Sequence, residues 1–451
     1  MTAGKGALAS VTAVLTLSSV LSRLWGFALR AALARLLGAE GVGLNQVVGA
    51  YFLGFVIPIA AGLSPAVSRM IAPHSDGRRN PRSDAVVSTA VLVALAASTA
   101  AAVAARFVRP ASIEARVALA PGAVGLMVTS SALYAVLEAF FIGSGNPRVL
   151  LVAEQLQEAV RFGLVVIVLA NAAELSLGLR LRWLVVLTAF SEVIGLAWLA
   201  SKYASVEFTY PRPSPRPSNR HPIGSPVPAI ASELLQTAWP VSATRLAGSL
   251  MRMAEVSLAP AALVKSGMTA GRALAVYGEV VGMAAPVVMI PGILTSSLAV
   301  SLVPEVARCG SSRAVRKKAW TVSIPALLFG VAVARFIGAF SRPISRVLYG
   351  SACDPSVIAE TAVLAPAVYL DQVTSAVLRG AGLANAALVS DLLAWMLRLA
   401  LVSTLPGRPG QAARGIAAAL IASSAFSAML NVAALALLPA RPGRGASRPT
   451  G

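Results

Sequence analysis

The chain has 451 residues, of which 57% are hydrophobic and only 12% are charged, and its mean hydropathy is +0.76. A soluble domain carries about 25% charged residues, so this composition excludes an ordinary soluble protein. The formal net charge of +20 does not indicate a nucleic-acid-binding protein, because the basic residues stand mostly in short connections and no basic domain with interleaved aromatic residues is present.

Apolar runs of about 20 residues, each long enough to cross about 30 Å of hydrocarbon, recur along the whole chain. Such runs are too long for the strands of a membrane barrel, so the sequence predicts an all-α polytopic membrane protein. The first run follows Lys5 and is long enough for a spanning helix rather than a cleaved signal peptide. We predict twelve spanning helices, near 8–36, 43–72, 84–107, 117–142, 148–170, 183–203, 229–262, 274–305, 318–339, 356–379, 386–404 and 412–438.

The distribution of charge between the connections predicts how the helices are oriented. With the amino terminus inside, the cytoplasmic connections collect most of the basic residues, such as those in the run Arg313–Lys318. The positive-inside rule then predicts a multi-pass protein of the cytoplasmic membrane with both termini in the cytoplasm. Cys309 falls in an inside connection and Cys353 in an outside one, so the two cysteines should not pair.

One connection divides the predicted helices into six and six. The stretch YPRPSPRPSNRHPIGSPVP, from Tyr210 to Pro228, is rich in proline, serine and arginine, a composition typical of an extended, semi-rigid linker. The alternative is an ordinary loop. We predict an N-lobe at 1–205, a cytoplasmic linker at 206–228, a C-lobe at 229–440 and a basic cytoplasmic tail at 441–451.

Two similar stretches mark the first helix of each predicted lobe. SRLWGFALR begins at Ser22 and TRLAGSLMR begins at Thr244, with a hydroxyl, two arginines, a leucine and a glycine in the same order and spacing. Weaker similarities join the second helix to the eighth and the fifth to the eleventh. These repeats predict two six-helix lobes of the same topology, related by a pseudo-twofold axis along the membrane normal, with a substrate site at their interface. Close helix packing or an approaching ligand would each explain Gly26 and Gly248.

The repeated stretches place two arginines on one face of each helix, because residues seven apart lie almost two full turns from each other. Arg23 and Arg30 form the first pair, and Arg245 and Arg252 form the second. An arginine at the centre of a spanning helix costs about 2.5 to 3.5 kcal/mol, so we expect all four to line a cavity. Guanidinium groups pair with phosphate or carboxylate, so this cavity suits an anion. The alternatives are structural pairing with buried groups, and the snorkelling that we expect of Arg35 near its helix end.

The carboxylates nearest to the expected cavity are Glu255 and Glu279, on the seventh and eighth helices, which makes them candidates for coupling transport to Na⁺ or H⁺. Other intramembrane carboxylates, such as Glu154 and Asp391, are expected to form structural pairs across helices. The sequence contains no Walker-type phosphate loop, no G-x-S-x-G elbow and no metal-ligand spacing. It therefore predicts a carrier that is not an enzyme and has no cofactor or metal.

Four stretches carry a resemblance to a known family: SRLWGFALRAALARLLGAEGVGLNQ, GLSPAVSRMIA, YGEVVGMAAPVVMIPGILTSSLAVSLVPEVA and YLDQVTSAVLRGAGLANAALVSD. Together they resemble the polysaccharide-flippase branch of the multidrug/oligosaccharidyl-lipid/polysaccharide (MOP) exporter superfamily. The stretches resemble those of the stage V sporulation protein B type, with the MurJ lipid II flippases as relatives. The likeness runs from about residue 10 to about residue 435.

This resemblance implies a V-shaped transporter of two lobes that alternates access and moves a polyprenyl-linked glycan outward. In MurJ-like proteins an S-R-x-x-G-F-x-R stretch supplies cavity arginines that face the substrate's pyrophosphate. Ser22, Arg23 and, after one inserted residue, Arg30 match that pattern. MurJ-like proteins carry an acidic residue followed by arginine in helix 8, whereas Glu279 is followed by Val280 here, and they have fourteen helices. The identity of the glycan is therefore left open.

Two other classes of function stay open at this point. A drug or organic-cation antiporter of the same superfamily would use carboxylates and aromatic residues in its cavity, which the arginine excess and the 6% aromatic content argue against. A non-transporting membrane scaffold, or a membrane-embedded transferase, would not need a repeated pair of intramembrane arginines. The expected partners are the lipid bilayer and a lipid-linked glycan, not nucleic acid, and the expected state is a monomer.

Overall fold

The computed structural model describes residues 2–72, 79–108, 110, 112–208, 227–405 and 411–437. The predicted linker 206–228 lies outside these ranges except for 206–208 and 227–228, and the predicted tail 441–451 lies entirely outside them. Within these ranges the chain is all-α and has no β-strand, so the predicted fold class is confirmed. The helices are α1 (Thr2–Ile71), α2 (Pro81–Ala104), α3 (Ile113–Ala118), α4 (Pro121–Gly143), α5 (Pro147–Asn171), α6 (Leu177–Ser205), α7 (Val227–Lys265), α8 (Ala270–Tyr277), α9 (Ala285–Met289), α10 (Gly292–Ala307), α11 (Ser312–Ala339), α12 (Ser341–Tyr349), α13 (Pro355–Ala362), α14 (Leu364–Gly380), α15 (Ala384–Thr404) and α16 (Ala412–Ala436).

Nine helical stretches of the described chain are long and apolar enough to cross a membrane. The first of them is double, because α1 is broken at Gly38, where φ is +70°, a left-handed value that glycine adopts without steric cost. The helices α5 and α7 are also long, at 25 and 39 residues, although they carry more charge. Counting α8–α10 and α13–α14 as two broken spans, the described chain has twelve long helical segments, in agreement with the predicted number.

The chain groups into two compact units. Unit 1 contains Met1–Ala32 and Val47–Met253, and unit 2 contains Leu33–Gln46 and Ala254–Gly451. The main core cluster of unit 1 is formed by α1, α2, α4, α5, α6 and α7 around residues such as Phe140. The main core cluster of unit 2 is formed by α10, α11, α14, α15 and α16. The boundaries of the units fall inside α1 and α7 rather than at the linker, and the division into lobes 1–205 and 229–440 stays a prediction.

Small residues allow very close helix packing inside unit 2. A Cβ added to Gly43 would stand 1.9 Å from the carbonyl oxygen of Leu274, and one added to Gly278 would stand 2.3 Å from the carbonyl oxygen of Ala39. The segment around Ala39 and Gly43 therefore lies backbone to backbone against α8, which only residues without bulk permit.

The chain winds into a π-helix over Gly278–Ala284, directly after α8. A π-helix is rare and occurs frequently at functional sites, because its wider turn changes the direction in which side chains point. Glu279 lies in the first turn of this segment and is buried, with 8% of its surface exposed. The distortion therefore positions one buried carboxylate of unit 2.

Candidate functional site

The four arginines of the repeated stretches lie on α1 and α7, and all four are exposed. Arg23 and Arg30 precede the break at Gly38, and Arg245 and Arg252 stand near the middle of α7. The sequence assigned the two pairs to different lobes, whereas all four residues belong to unit 1. Arg245 and Arg252 make no side-chain hydrogen bond or ion pair with any residue that the structure describes. The single cavity expected around all four stays a prediction.

Open space adjoins the arginines at both glycines of the repeat. A Cβ added to Gly26 or to Gly248 would meet no atom within 4 Å. Among the described residues, therefore, no helix packs closely against either glycine, and the packing explanation that the sequence left open does not apply. Each glycine instead lies on a helix surface that carries arginines and leaves room for another molecule.

Ser22 makes a contact between α1 and α5. Its hydroxyl donates to Oε2 of Glu154 at 3.5 Å and accepts from Nε2 of Gln155 at 3.4 Å. Ser18 also donates to Glu154, and the indole of Trp25 donates to Oε1 of Gln155 at 3.2 Å. Ser22 is thus engaged with α5 in this structure, and its role in substrate binding stays a prediction.

Carboxylates of unit 1 form a polar cluster among α4, α5 and α6, which we call the α4–α6 cluster. Its members are Glu138, Glu154, Glu158 and Glu192, with Arg161 as the basic residue among them. Ser130 and Ser131 both donate to Glu192, the first at 3.0 Å, and Arg161 pairs with Glu158 within its own helix.

Two buried donors of the α4–α6 cluster have no partner among the described residues. They are the hydroxyl of Tyr134 and the Nε of Arg161. A cluster with more acids than bases can hold a proton or a cation. The sequence alone does not predict this cluster, because four residues on three helices share no spacing along the chain.

The two carboxylates predicted as coupling residues both lie in unit 2. Glu255 is 4% exposed and pairs with Arg398, with 3.7 Å between Oε2 and NH1. Arg398 also donates to Ser423 at 2.9 Å and lies 4.7 Å above the ring of Trp395. This ion pair joins α7 to α15. The roles of Glu255 and Glu279 in ion coupling stay predictions.

A second polar group of unit 2 surrounds Asp371 on α14. Ser427 and Asn431 of α16 donate to its Oδ1 at 2.7 and 3.0 Å, and Asn431 also donates to Ser375 at 3.0 Å. Asp391 pairs instead with Arg379, at 3.6 Å. The structural pairing across helices that the sequence predicts for Asp391 is therefore present.

Arg35, which the sequence predicts to snorkel, contacts the end of α12. Its Nε donates to the carbonyl oxygen of Leu348 at 3.0 Å, and its NH2 donates to that of Val347. These carbonyls belong to the last turn of α12, where an arginine satisfies acceptors that the helix itself leaves open. In the sequence, a long side chain near a helix end is compatible with snorkelling and with structural pairing. The contact with α12 becomes visible only in the structure.

No group of three or more potential metal ligands occurs in the described ranges of the chain. The described residues offer guanidinium groups that can bind an anion, and clustered carboxylates that can bind a proton or a cation.

Comparison with known proteins agrees with a membrane carrier. Residues 8–310 match the model of a family described as polysaccharide biosynthesis protein. The chain is 24% identical over 415 residues to stage V sporulation protein B of Bacillus subtilis (strain 168), which covers 90% of this chain and 79% of that protein.

Solved structures show the same fold. An inward-facing multidrug resistance MATE family transporter of the MOP superfamily matches with a TM-score of 0.69 at 14% identity, over 93% of this chain and 96% of that one. A MOP superfamily transporter from Pyrococcus furiosus, whose binding pocket is described as having reverse polarity, matches with a TM-score of 0.56 at 17% identity. This match covers 94% of the present chain and 96% of the Pyrococcus chain. With its twelve long helices and a match over most of its length, the chain belongs to the polysaccharide biosynthesis protein family and has the fold of the MOP superfamily transporters.

Proposed function

We propose that the protein is an alternating-access flippase that moves a polyprenyl-phosphate- or polyprenyl-pyrophosphate-linked oligosaccharide, or a cell-wall precursor, across the cytoplasmic membrane. Its family membership supports a role in polysaccharide biosynthesis, and its fold supports transport rather than catalysis. The likeness to stage V sporulation protein B supports a cell-envelope substrate. We place both termini in the cytoplasm and take the monomer as the working unit, without nucleic acid, metal or cofactor.

The observation that carries this proposal is the pair of exposed arginines on each repeated helix. Arg23, Arg30, Arg245 and Arg252 are the proposed contacts to the phosphate or pyrophosphate, with Ser22 beside the first pair. An exposed arginine in an apolar helix is costly in lipid, and a phosphate offers a bidentate, doubly charged partner that offsets this cost. The open space at Gly26 and Gly248 leaves room for the substrate beside them.

Transport against a gradient needs a source of energy, and we propose coupling to Na⁺ or H⁺. Glu255 and Glu279 are the residues proposed from the sequence. The α4–α6 cluster adds a second place where a proton or cation could bind, because Glu138, Glu154 and Glu192 lie close together with limited basic compensation.

A cation-coupled drug antiporter is the second candidate, and the α4–α6 cluster is the observation that favours it. Organic cations would pair with clustered carboxylates, and the structural relatives include multidrug transporters. At 14 to 17% identity these relatives show the fold alone. A scaffold without transport activity is the third candidate, and it does not explain the exposed arginines.

Reconstituted vesicles distinguish the three candidates. The purified chain is placed in vesicles loaded on one side with a fluorescent polyprenyl-pyrophosphate glycan, and the appearance of the glycan on the other side is followed with an impermeant quencher. The flippase should accelerate this transfer and should not move an organic cation such as ethidium. Ethidium transport without glycan transfer would establish the antiporter, and neither activity in a well-folded protein would favour the scaffold.

A further inference from the structure

A cavity of about 790 Å³ lies in unit 2, and none of the four arginines of the repeated stretches lines it. We call it the α12 basin, and its charged lining consists of Arg272, Glu279, Arg342, Arg346, Asp354 and Arg414, together with Glu360. The residues come from α8, the π-helix, α12, α13 with its capping residue Asp354, and the start of α16. Its size is that of a ligand site rather than of a packing defect.

Two arginines of the α12 basin form no ion pair among the described residues. Arg414 pairs with Glu360 at 2.6 Å, and Arg272 attracts Glu279. Arg342 and Arg346 are exposed, stand one turn apart on α12, and make no ion pair with a described carboxylate. Like charges four residues apart destabilise a helix. An anion bound between Arg342 and Arg346 would therefore relieve the repulsion between them.

The helix that carries these arginines is fixed at its C-terminal end. Arg35 binds the carbonyl oxygens of Val347 and Leu348, and Ser345 donates to the carbonyl oxygen of Cys353 at 2.6 Å. Tyr349 donates to the carbonyl oxygen of Met283 at 2.9 Å. The guanidinium groups of α12 are therefore presented from a rigid element, which reduces the entropy lost when a ligand binds.

The lining of the α12 basin also contains a hydrogen-bond acceptor. Glu279 lies on the π-helix, and its Oε2 is 3.5 Å from the backbone nitrogen of Asp354, the residue that caps α13. A site lined by arginines and a buried carboxylate suits a ligand that combines an anionic group with hydrogen-bond donors such as sugar hydroxyls.

Unit 2 itself indicates which side of the membrane the α12 basin faces. α11 has 28 residues, or about 42 Å, enough to cross the bilayer. The basic run Arg313–Lys318 stands at its start, and the α12 basin adjoins the element that follows its end. Since the positive-inside rule assigns the basic run to the cytoplasm, the basin opens on the outer side.

We propose that the α12 basin binds a phosphate-bearing anion at the outer face, with Arg342 and Arg346 as the binding pair. Their Cβ atoms are about 5–6 Å apart on one helix face, so both guanidinium groups can reach one phosphate or the two phosphates of a pyrophosphate. The proposal concerns unit 2 alone and does not depend on which substrate is transported.

The test uses a local thiol, because pyrophosphate could also bind at the arginines of unit 1. Ser351 lines the basin and is exposed, so Ser351→Cys is introduced into a Cys309→Ser background of the full chain in detergent. Its reaction rates with anionic and cationic thiosulfonates of equal size are compared at low salt. Two nearby arginines should favour the anionic reagent by on the order of fivefold. Inorganic pyrophosphate should slow the reaction by occupying the basin.

Adding Arg342→Gln and Arg346→Gln should abolish both the charge preference and the protection by pyrophosphate. The matched control, Arg313→Gln with Lys317→Gln, removes two exposed charges at the same spacing on α11 and should leave both effects intact. Should the glutamine variant fail to fold, Arg342→Lys with Arg346→Lys keeps the charge preference but weakens protection, because lysine lacks the bidentate fork. Absence of charge preference and of protection in the parent protein would overturn the proposal.

The same assay in nanodiscs separates the two sources of phosphate. If a lipid head group occupies the α12 basin, anionic phosphatidylglycerol should slow labelling relative to phosphatidylcholine, and pyrophosphate should add little. If the ligand is soluble, phosphatidylglycerol should have no effect and pyrophosphate should protect as in detergent. Labelling that neither phosphatidylglycerol nor pyrophosphate slows contradicts an anion site. Loss of glycan transfer in the vesicle assay would leave this local result unchanged, so the two proposals can fail separately.

Discussion

Replacing four glycines one at a time by alanine tests the helix packing and the open face with the same chemical change. At Gly43 the new Cβ would stand 1.9 Å from a carbonyl oxygen, and at Gly278 it would stand 2.3 Å from one, so backbone segments must separate by more than 1 Å. Such overpacking costs about 1–3 kcal/mol or more. At Gly26 and Gly248 the Cβ meets nothing within 4 Å, so only helix propensity changes, which favours alanine by up to about 1 kcal/mol.

The measurement is the thermal midpoint of each purified variant in one detergent, followed by tryptophan fluorescence. Gly43→Ala and Gly278→Ala should lower the midpoint, whereas Gly26→Ala and Gly248→Ala should leave it unchanged or raise it. Equal losses at all four positions would refute the reasoning, because they would mean that Gly26 and Gly248 are as closely packed as the glycines of unit 2.

Two further predictions concern unit 2. Arg398→Ala should cost up to about 3–5 kcal/mol, since it removes one ion pair of the buried Glu255 carboxylate, and Glu255→Gln in the same chain should recover part of the loss. Additive losses in a denaturation series would contradict the pair. Native protein at pH 8 should label at Cys309 and not at Cys353, because Cys353 is 3% exposed and burial raises the pKa of its thiol to about 12. Unfolding should return that pKa to its ordinary value of about 8.5 and raise the thiolate fraction about a thousandfold, so that Cys353 then reacts as well. Equal labelling rates of Cys309 and Cys353 before unfolding would contradict the burial of Cys353.

The burial of Cys353 also decides which residue can report the orientation of the chain in the membrane. The sequence places Cys353 in an outside connection, which makes it a natural reporter of orientation if it is accessible. The structure buries it beneath the turn after α12, so an exposed neighbour such as Ser351→Cys is the better reporter. Burial of a connecting residue depends on what folds over it, and no local pattern in the sequence carries that information.

The number and type of the helices could be predicted from the sequence, because the length of an apolar run and the thickness of the bilayer determine them. The break at Gly38 and the π-helix at Gly278–Ala284 could not, since both depend on how neighbouring backbones meet. The same limit applied to the charged residues. The spacing of Arg23 and Arg30 is visible along one helix, whereas the pair of Glu255 and Arg398 joins residues 143 positions apart.

Transfer of a lipid-linked glycan by purified Arg23→Ala/Arg30→Ala tests the central claim most directly. Each arginine should contribute charge-assisted contacts worth about 1.5–3 kcal/mol, so the double variant should lose at least tenfold in glycan binding and flipping while retaining its thermal midpoint. Arg23→Lys/Arg30→Lys should recover only part of the activity. Arg335→Ala, which removes an exposed arginine from the apolar helix α11, should behave like the unmodified chain. Unmodified flipping by the well-folded double alanine variant would contradict the claim that these arginines hold the substrate.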